Sequence, residues 1–257
     1  MSLPPSWSRD DATPGTTSDQ QPRTKRPDQR VELKFVVTAS IAEQLRDWAR
    51  RHLDPDTHCD PLIGEGYRVS TLYLDTPRFE VYHREPPVGR RKYRLRRYGS
   101  EGTIWLETKR KSQGLVCKRR TAVSDLNLPL PEVPPDDKWH GEWFRRHVET
   151  RQLRPMSVVT YERFARIGSM PEGDVRLTID RDLRGTSAAG WHVPRDSAGE
   201  IALLPDLFVV ELKFRDVLPA LFKRLLCELP LRPVSFSKYR TAVDGCGLLA
   251  ARVAVAS

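Results

Sequence analysis

The stretch "KYRLRRY" at residues 92–98 alternates cationic side chains with others. In a β-strand, successive side chains point to opposite faces, so Lys92, Arg94 and Arg96 would form a row on one face. Like charges placed side by side destabilise a sheet. The stretch therefore predicts a strand whose cationic face meets an anion that the sheet itself does not supply.

The charge of the whole chain is concentrated around this stretch. The 257 residues carry a formal net charge of +9. Between Arg84 and Arg120 there are 13 Lys or Arg residues and only three acidic ones, Glu85, Glu101 and Glu107. Such a local positive field indicates an anionic partner, which could be nucleic acid, an anionic membrane or a phosphate-rich small molecule.

The cysteines and the apolar segments exclude several classes of protein. Cys59, Cys117, Cys227 and Cys246 form no C-x-x-C pair and have no histidine at metal-ligand spacing, so neither a zinc site nor a disulfide scaffold is expected. No signal peptide and no stretch of about 20 apolar residues is present. We expect a soluble protein from a reduced, cytoplasmic compartment, with no membrane segment of its own.

Two regions are expected along the chain. Residues 12–30 contain no aliphatic or aromatic side chain larger than alanine, so residues 1–29 are predicted to form a disordered tail. Residues 30–257 form the predicted domain. Its strands are expected at 30–37, 67–75, 92–98, 103–111, 115–123, 156–166, 175–183, 207–214 and 233–243, and its helices at 40–53, 136–153 and 216–229.

The helix signals are local. Ser40 and Glu43 have capping-box spacing for the first helix, and Asp216 and Pro219 fit the first turn of the last one. With hairpin-length connections between most strands, the fold class is α+β, mainly antiparallel β. We expect an eight-stranded tunnel-like barrel with flanking helices, whose interior is wide enough for side chains or one slim ligand.

The charged strand faces have two interpretations. They could be the solvated side of an antiparallel sheet. A solvated face usually mixes both signs, however, and carboxylate partners for these cations are few, so we favour cations that point into the barrel and are neutralised by a polyanion. Nucleic acid fits less well, because Tyr93, Trp105 and Phe236 are expected to alternate away from the cations. Glu32 and Glu211 share faces with Lys34 and Lys213, and each could be an ion-pair partner or a ligand for Mg²⁺ or Mn²⁺.

A family resemblance rests on the order of short motifs: "RVELKF", "YRVSTLYLDT", "YHRE", "YRLRRYG", "WLETKRK", "CKRR", "YERFAR", "RLTID", "VVELKF" and "SFSKY". Together they resemble the VTC domain of polyphosphate polymerases, within the triphosphate tunnel (CYTH-like) superfamily, from Arg30 to about Gly247. The resemblance implies an antiparallel β tunnel that binds a nucleoside triphosphate such as ATP, a polyphosphate or pyrophosphate chain, and Mn²⁺ or Mg²⁺.

The resemblance also assigns roles to residues. It implies the catalytic cations Lys34, Arg94, Arg96, Lys109, Lys118 and Arg163. It implies phosphate contacts from Arg84, Tyr161, Ser237 and Lys238, to which we add Lys213 because it shares a strand face with Glu211. Glu211 is the implied metal ligand, and Glu32 is the second candidate.

Two departures from the family pattern bear on the reaction. Ser235 stands where relatives often have a lysine, which removes one cation. Arg30 stands where tunnel phosphohydrolases carry the first glutamate of E-x-E-x-K, which favours a metal-dependent polymerase that uses ATP. The alternatives are a triphosphatase, in which Glu32 would help activate water, and a non-catalytic sensor of polyphosphate or inositol phosphate. No nucleic acid is expected as a partner, and whether a membrane protein receives the product stays open.

Overall fold

A computed structural model describes residues 30–59, 64–112, 115–125, 128, 138–196 and 200–250. The tail predicted at residues 1–29 lies outside the described residues. In the described part of the chain, no helix is both long and apolar enough to cross a bilayer.

Eight long strands form one antiparallel sheet, as the sequence predicts. They are β1 (Arg30–Thr38), β3 (Gly66–Asp75), β4 (Arg91–Tyr98), β5 (Thr103–Ser112), β6 (Leu115–Ser124), β7 (Arg154–Met170), β8 (Gly173–Ser187) and β10 (Leu207–Arg215). Two short strands flank them: β2 (Asp54–Pro55) pairs with β7, and β9 (Ile201–Ala202) pairs with β8. The order across the sheet is β1-β10-β8-β7-β3-β4-β5-β6.

The sheet curls so that its two terminal strands, β1 and β6, approach each other. Among the described residues no backbone ladder joins these two strands. A side-chain bridge spans the gap instead, because Lys109 Nζ on β5 lies 2.5 Å from Glu32 Oε2 on β1. The sheet therefore encloses a tunnel with one open seam.

In the described part of the chain, the helices around the sheet are α1 (Ala39–His52), α2 (Glu80–His83), α3 (Glu142–Thr150), α4 (Ala220–Glu228) and α5 (Lys238–Gly245). Helices α1 and α4 cover the outer faces of β1, β8 and β10, where Leu45 and Phe222 are fully buried with Phe35, Leu177 and Leu212. Helix α3 packs on the outside of β4 and β6. Because the apolar side chains face these helices, the alternate positions on the same strands face the tunnel.

The C-terminal segment corrects the predicted last strand at 233–243. Residues 233–237 have no regular structure, and Lys238 begins α5. The Ser237 hydroxyl caps this helix by accepting from the Arg240 backbone N–H. Tyr239, Ala242 and Val243 are buried, at helical rather than strand spacing.

The helix starts also differ from the predicted ones. Thr38 is the N-cap of α1 and makes no side-chain capping bond, so the capping box proposed for Ser40 and Glu43 is wrong. Pro219 is the N-cap of α4, and Asp216 lies before the helix in a left-handed conformation with φ 42°. Helix α1 therefore begins directly after β1, and the first N–H of α4, from Ala220, donates to the carboxylate of Glu172, which is distant in sequence.

Candidate triphosphate-binding tunnel

The wall formed by β4, β5 and β6 surrounds one buried carboxylate. Backbone register places Arg94 opposite Glu107 and Glu107 opposite Arg120. Arg94 Nε donates to Glu107 Oε2 over 2.7 Å, and Lys118 Nζ lies 2.8 Å from Oε1. Burial by itself would raise the pKa of Glu107, but the charges of Arg94, Arg96 and Lys118 outweigh it and hold the pKa well below its ordinary value.

The opposite wall, from β1 and β10, carries two carboxylates joined by one ammonium group. Lys34 Nζ lies 3.1 Å from Glu32 Oε1 and 3.2 Å from Glu211 Oε1. Lys213 Nζ lies 2.7 Å from the other Glu211 oxygen. Burial and the charge of Glu211 act to raise the pKa of Glu32. The charges of Lys213, Lys34 and Lys109 outweigh them and lower this pKa to about 2. All four side chains are therefore charged at neutral pH in this arrangement.

A third group lies between β7, β8 and α5. Arg163 makes a two-pronged contact with Asp180, over 2.6 and 2.8 Å. Lys238 Nζ, at the start of α5, lies 2.7 Å from the same carboxylate and 4.8 Å from the centre of the Tyr161 ring. Asp180 is completely buried, so water does not compete for its carboxylate. Its charge-assisted hydrogen bonds therefore hold Arg163 and Lys238 in fixed positions.

The tunnel lining mixes both signs, contrary to the expectation from sequence. Among the described side chains it contains the cations Lys34, Lys92, Arg94, Arg96, Lys109, Lys118, Arg120, Arg163, Arg176, Lys213 and Lys238, and the carboxylates Glu32, Glu107, Asp180 and Glu211. On this described part of the lining, cations therefore outnumber carboxylates. Sequence reasoning missed the roles of Glu107 and Asp180, although each lies two positions along its strand from another residue of the tunnel face.

Lys92 is a tunnel cation that the resemblance did not single out. Its Nζ donates to Ser237 Oγ over 3.0 Å, and no carboxylate among the described residues pairs with it. Burial, together with the charges of Lys34, Arg94 and Lys109, lowers the pKa of Lys92 to about 7. Lys213 behaves similarly, since burial lowers its pKa to about 8 in spite of its contact with Glu211.

Three buried hydroxyls on the tunnel face have no hydrogen-bond partner among the described residues. They are Ser157 Oγ, Tyr161 Oη and Thr178 Oγ1. Thr178 is opposite Glu211 in the ladder between β8 and β10, and Tyr161 shares a face of β7 with Arg163. A buried polar group is almost always hydrogen-bonded, so these hydroxyls indicate a site for an oxygen-rich ligand.

The structure brings together all but one of the predicted site residues. Arg84 is exposed at the end of α2, and no hydrogen bond or ion pair among the described residues links it to the tunnel. Trp105 was expected to face away from the cations, yet it shares a face with Glu107, and the Arg120 guanidinium lies 3.5 Å from its ring centre. Phe236 also lies close to a cation, since Lys238 Nζ is 5.8 Å from its ring centre.

Glu32 and Glu211 are the candidate ligands for a divalent metal. Their shared contact with Lys34 Nζ shows that two carboxylates reach one point in the tunnel. No group of three or more His, Cys, Asp or Glu residues that could hold a metal occurs in the described part of the chain. Magnesium is commonly held by one or two carboxylates and completed by substrate phosphates. The residues therefore fit a metal shared with a phosphate ligand and not one held by protein groups alone.

Comparison with known proteins decides the family. The sequence model of the VTC domain family matches residues 29–245, which include every strand of the tunnel. The chain belongs to the VTC domain family. The resemblance noted from the sequence motifs is thereby confirmed, as is the α+β fold built mainly from antiparallel strands. In a VTC domain, the cation-lined interior described above is the candidate site.

Solved structures give more distant similarities. A putative adenylate cyclase from Bacillus halodurans is 13% identical, with a TM-score of 0.49 over 82% of this chain and 94% of that one. HpAC1 from Hippeastrum, described as a putative adenylyl cyclase with a dominant triphosphatase activity, is 15% identical, with a TM-score of 0.48 over 84% and 96% of the two chains. PH1819 from Pyrococcus horikoshii OT3 is 12% identical, with a TM-score of 0.46 over 84% and 99%. No curated protein matches the sequence.

Proposed function

We propose that this VTC domain is a polyphosphate polymerase that transfers the γ-phosphoryl group of ATP to the end of a polyphosphate chain. A terminal oxygen of the chain forms a new bond to the γ-phosphorus, the bond from that phosphorus to the β,γ-bridging oxygen breaks, and ADP leaves. The acceptor is already an ionised phosphate, so the reaction requires no general base.

The observation that carries this proposal is the charge excess in an enclosed, hydroxyl-lined space. Several cations of the described tunnel lining share one carboxylate, so positive charge is in excess, and Ser157 Oγ, Tyr161 Oη and Thr178 Oγ1 are buried without a partner among the described residues. Burying an excess of one charge is costly, so a polyanion with many acceptor oxygens would relieve both features at once. A nucleoside triphosphate and a polyphosphate chain both have this chemistry.

The protein would contribute by placing positive charge around the transferred group. Phosphoryl transfer depends mainly on in-line positioning and on stabilising charge on the equatorial oxygens. Arg94, Lys118 and Arg163 are held in fixed positions by Glu107 and Asp180, so they would meet the phosphates with little rearrangement. Lys34, Arg96, Lys109, Lys213, Ser237 and Lys238 would complete the phosphate contacts.

A bound Mg²⁺ or Mn²⁺ would neutralise phosphate oxygens of the substrate, and Glu211 and Glu32 are the residues that would hold it. Lys34 Nζ lies between these carboxylates and would have to move toward the phosphates. Its four-carbon chain and half-buried position permit such a movement.

The test is incubation of the protein with ATP and Mn²⁺, followed by separation of long polyphosphate from orthophosphate on a gel. Long chains support the polymerase, and orthophosphate alone would assign the triphosphatase. Arg94→Ala combined with Arg96→Ala should abolish product formation. Arg184→Gln is a control, because the partly exposed Arg184 lies on the outside of β8 and pairs with Asp182.

A further inference from the structure

A second basic cluster lies outside the tunnel, where α3 packs on β4 and β6. We call it the outer arginine cluster: Arg91 on β4, Arg119 on β6 and Arg151 after α3, arranged around His147. Helix α3 is fixed at this place, because Trp143 Nε1 donates to Thr121 Oγ1 over 3.0 Å and the His147 ring packs edge-on against Tyr93. The Arg119 guanidinium lies 4.2 Å from the Trp143 ring centre.

Both ring nitrogens of His147 face hydrogen-bond donors of the cluster. Arg91 Nη1 lies 3.0 Å from His147 Nε2, and Arg151 Nη1 lies 2.9 Å from Nδ1. A guanidinium can only donate, whereas a neutral imidazole accepts at one nitrogen and carries hydrogen on the other. One of the two contacts therefore places two donors together.

Protonation does not relieve the conflict, because an imidazolium has no acceptor at all. The groups around the ring are Arg91 and Tyr93 from β4, Arg119 from β6, Trp143 from α3 and Arg151 after α3. Burial and the charges of Arg151, Arg91 and Arg119 lower the pKa of His147 to about 4. Among the described residues, no carboxylate forms an ion pair with any of the three arginines.

We propose that the outer arginine cluster binds phosphate groups of a polyphosphate chain outside the tunnel. A tetrahedral phosphate presents several acceptor oxygens, so it can accept from the arginines whose contacts to His147 cannot all be satisfied. The cluster is open to such a ligand, since Arg119 is exposed and Arg91, His147 and Arg151 are only half-buried. This inference rests on the proposed function, in which the protein handles polyphosphate.

The position of the cluster favours polyphosphate as the source of the bound phosphate groups. Arg91 precedes Lys92, and Arg119 follows Lys118, so tunnel and outer cations are neighbours on the same strands. Strand β6 ends the sheet, and a chain leaving past Lys118 can pass around this edge to Arg119 without crossing a hydrogen-bonded ladder. The two surfaces form one continuous basic path.

The first experiment observes His147 directly by NMR. The probe is tripolyphosphate, titrated into the Arg94→Ala, Arg96→Ala double variant so that tunnel binding is removed. We expect the His147 ring resonances to shift and its pKa to rise by about one unit or more as the added anion offsets the arginines. Arg119→Gln in the same background should abolish the response, and an unchanged His147 signal would overturn the proposal.

The second experiment measures affinity for long-chain polyphosphate with the tunnel intact. Arg91→Gln together with Arg119→Gln should weaken binding of the long chain about tenfold and change that of tripolyphosphate, which the tunnel holds, less than about twofold. Arg181→Gln together with Arg184→Gln removes two charges elsewhere on the outside and should have little effect. An equal loss in this control would reduce the cluster to general electrostatic attraction and contradict the proposal.

Vesicles containing phosphatidylglycerol separate the polyphosphate source from a lipid headgroup. Vesicle binding that requires Arg119, with no His147 response to polyphosphate, would assign the cluster to a membrane surface and overturn the proposal. The outcome is independent of the reaction in the tunnel. Polyphosphate binding at His147 without polymer synthesis from ATP would keep the outer site and reject the polymerase.

Discussion

At the scale of single residues, the tunnel works through pairs of opposite charge that leave a surplus of one sign. Glu107 and Asp180 each hold two or more cations in place, and they remain ionised because those cations outweigh the effect of burial on the carboxyl pKa. Glu211 has a different surrounding, since both of its oxygens contact lysine ammonium groups that can move. The cations held by Glu107 and Asp180 would position phosphate, whereas Glu211 would bind the metal.

Glu211→Gln tests this division. The amide keeps the shape of the side chain but loses the charge that would hold a metal, so turnover should fall about a hundredfold, the size typical of losing one fixed electrostatic contact at an active site. Triphosphate affinity should stay the same or rise, because Lys34 and Lys213 are released. Turnover and affinity are measured at saturating Mn²⁺. Unchanged turnover would make Glu211 an ion-pair partner only.

Lys92 predicts a dependence of stability on pH. Its pKa is lowered to about 7 in the folded protein and is about 10.4 in an unfolded chain. Between these values the unfolded state binds more protons, so the free energy of unfolding should rise with pH above about 7. Lys213, with a pKa of about 8, adds a similar rise above pH 8.

The comparison variant is Lys92→Met, which keeps the length of the side chain. Urea unfolding of the empty protein at several pH values should show a smaller rise for Lys92→Met than for the natural chain. Below pH 7 the variant should be the more stable of the two, because it lacks a charge among like charges. Parallel stability curves for the two proteins would show that Lys92 is not held in a repulsive surrounding.

At the scale of elements, α5 is the piece that brings the last cations to the tunnel. Asp75, at the end of β3, accepts the backbone N–H groups of Thr76, Val81 and Tyr82 and the Tyr239 hydroxyl, which lies 2.6 Å away. One buried carboxylate thus joins α2 and α5 to the sheet. Ser237 and Lys238, which contact Lys92 and Asp180, stand directly before and at the start of α5.

Tyr239→Phe should therefore affect both stability and binding. Loss of one buried charge-assisted hydrogen bond should destabilise the protein by about 1–3 kcal/mol, and the shift of α5 should weaken triphosphate affinity. Chemical denaturation and a binding titration measure the two effects. Tyr82→Phe is the control, because the Tyr82 hydroxyl bonds to Asp244 in an exposed position and should cost little. Equal effects of the two substitutions would contradict the role given to Asp75.

At the scale of the whole molecule, the tunnel is an enclosed region of net positive charge that a ligand should stabilise. A ligand that binds only the folded state adds RT ln(1 + [L]/Kd), about 2.7 kcal/mol at a hundredfold excess over Kd. Tripolyphosphate should raise the melting temperature strongly, orthophosphate less, and single-stranded DNA of equal charge least, because bases are wide for an eight-stranded barrel.

Ionic strength must be constant in this series, because salt alone screens the repulsion among the cations. Arg94→Ala with Arg96→Ala should remove most of the effect of tripolyphosphate while leaving the protein folded. If DNA raised the melting temperature as much as tripolyphosphate, the placement of Trp105 beside Arg120 would favour an open surface that binds nucleic acid.

The sequence by itself determined the eight long strands and the face of most of their ionic residues, although it wrongly predicted a last strand at 233–243 and the face of Trp105. Alternation in "KYRLRRY" and in "VELKF" separates ionic from apolar positions, and the side-chain period of a strand is fixed by backbone geometry. It was therefore sufficient to place Lys34, Arg94, Arg96 and Glu211 on one face of a curved antiparallel sheet.

Only the tertiary structure decided which of these residues meet. Glu107 joins Arg94 and Lys118 through strand register, whereas Glu32 reaches Lys109 across a seam between strands that are 77 residues apart in sequence. The same closure brings Ser237 to Lys92 and leaves Arg84 outside. Local spacing cannot encode these contacts, because the curvature of the sheet and the docking of α5 depend on packing summed over the whole molecule.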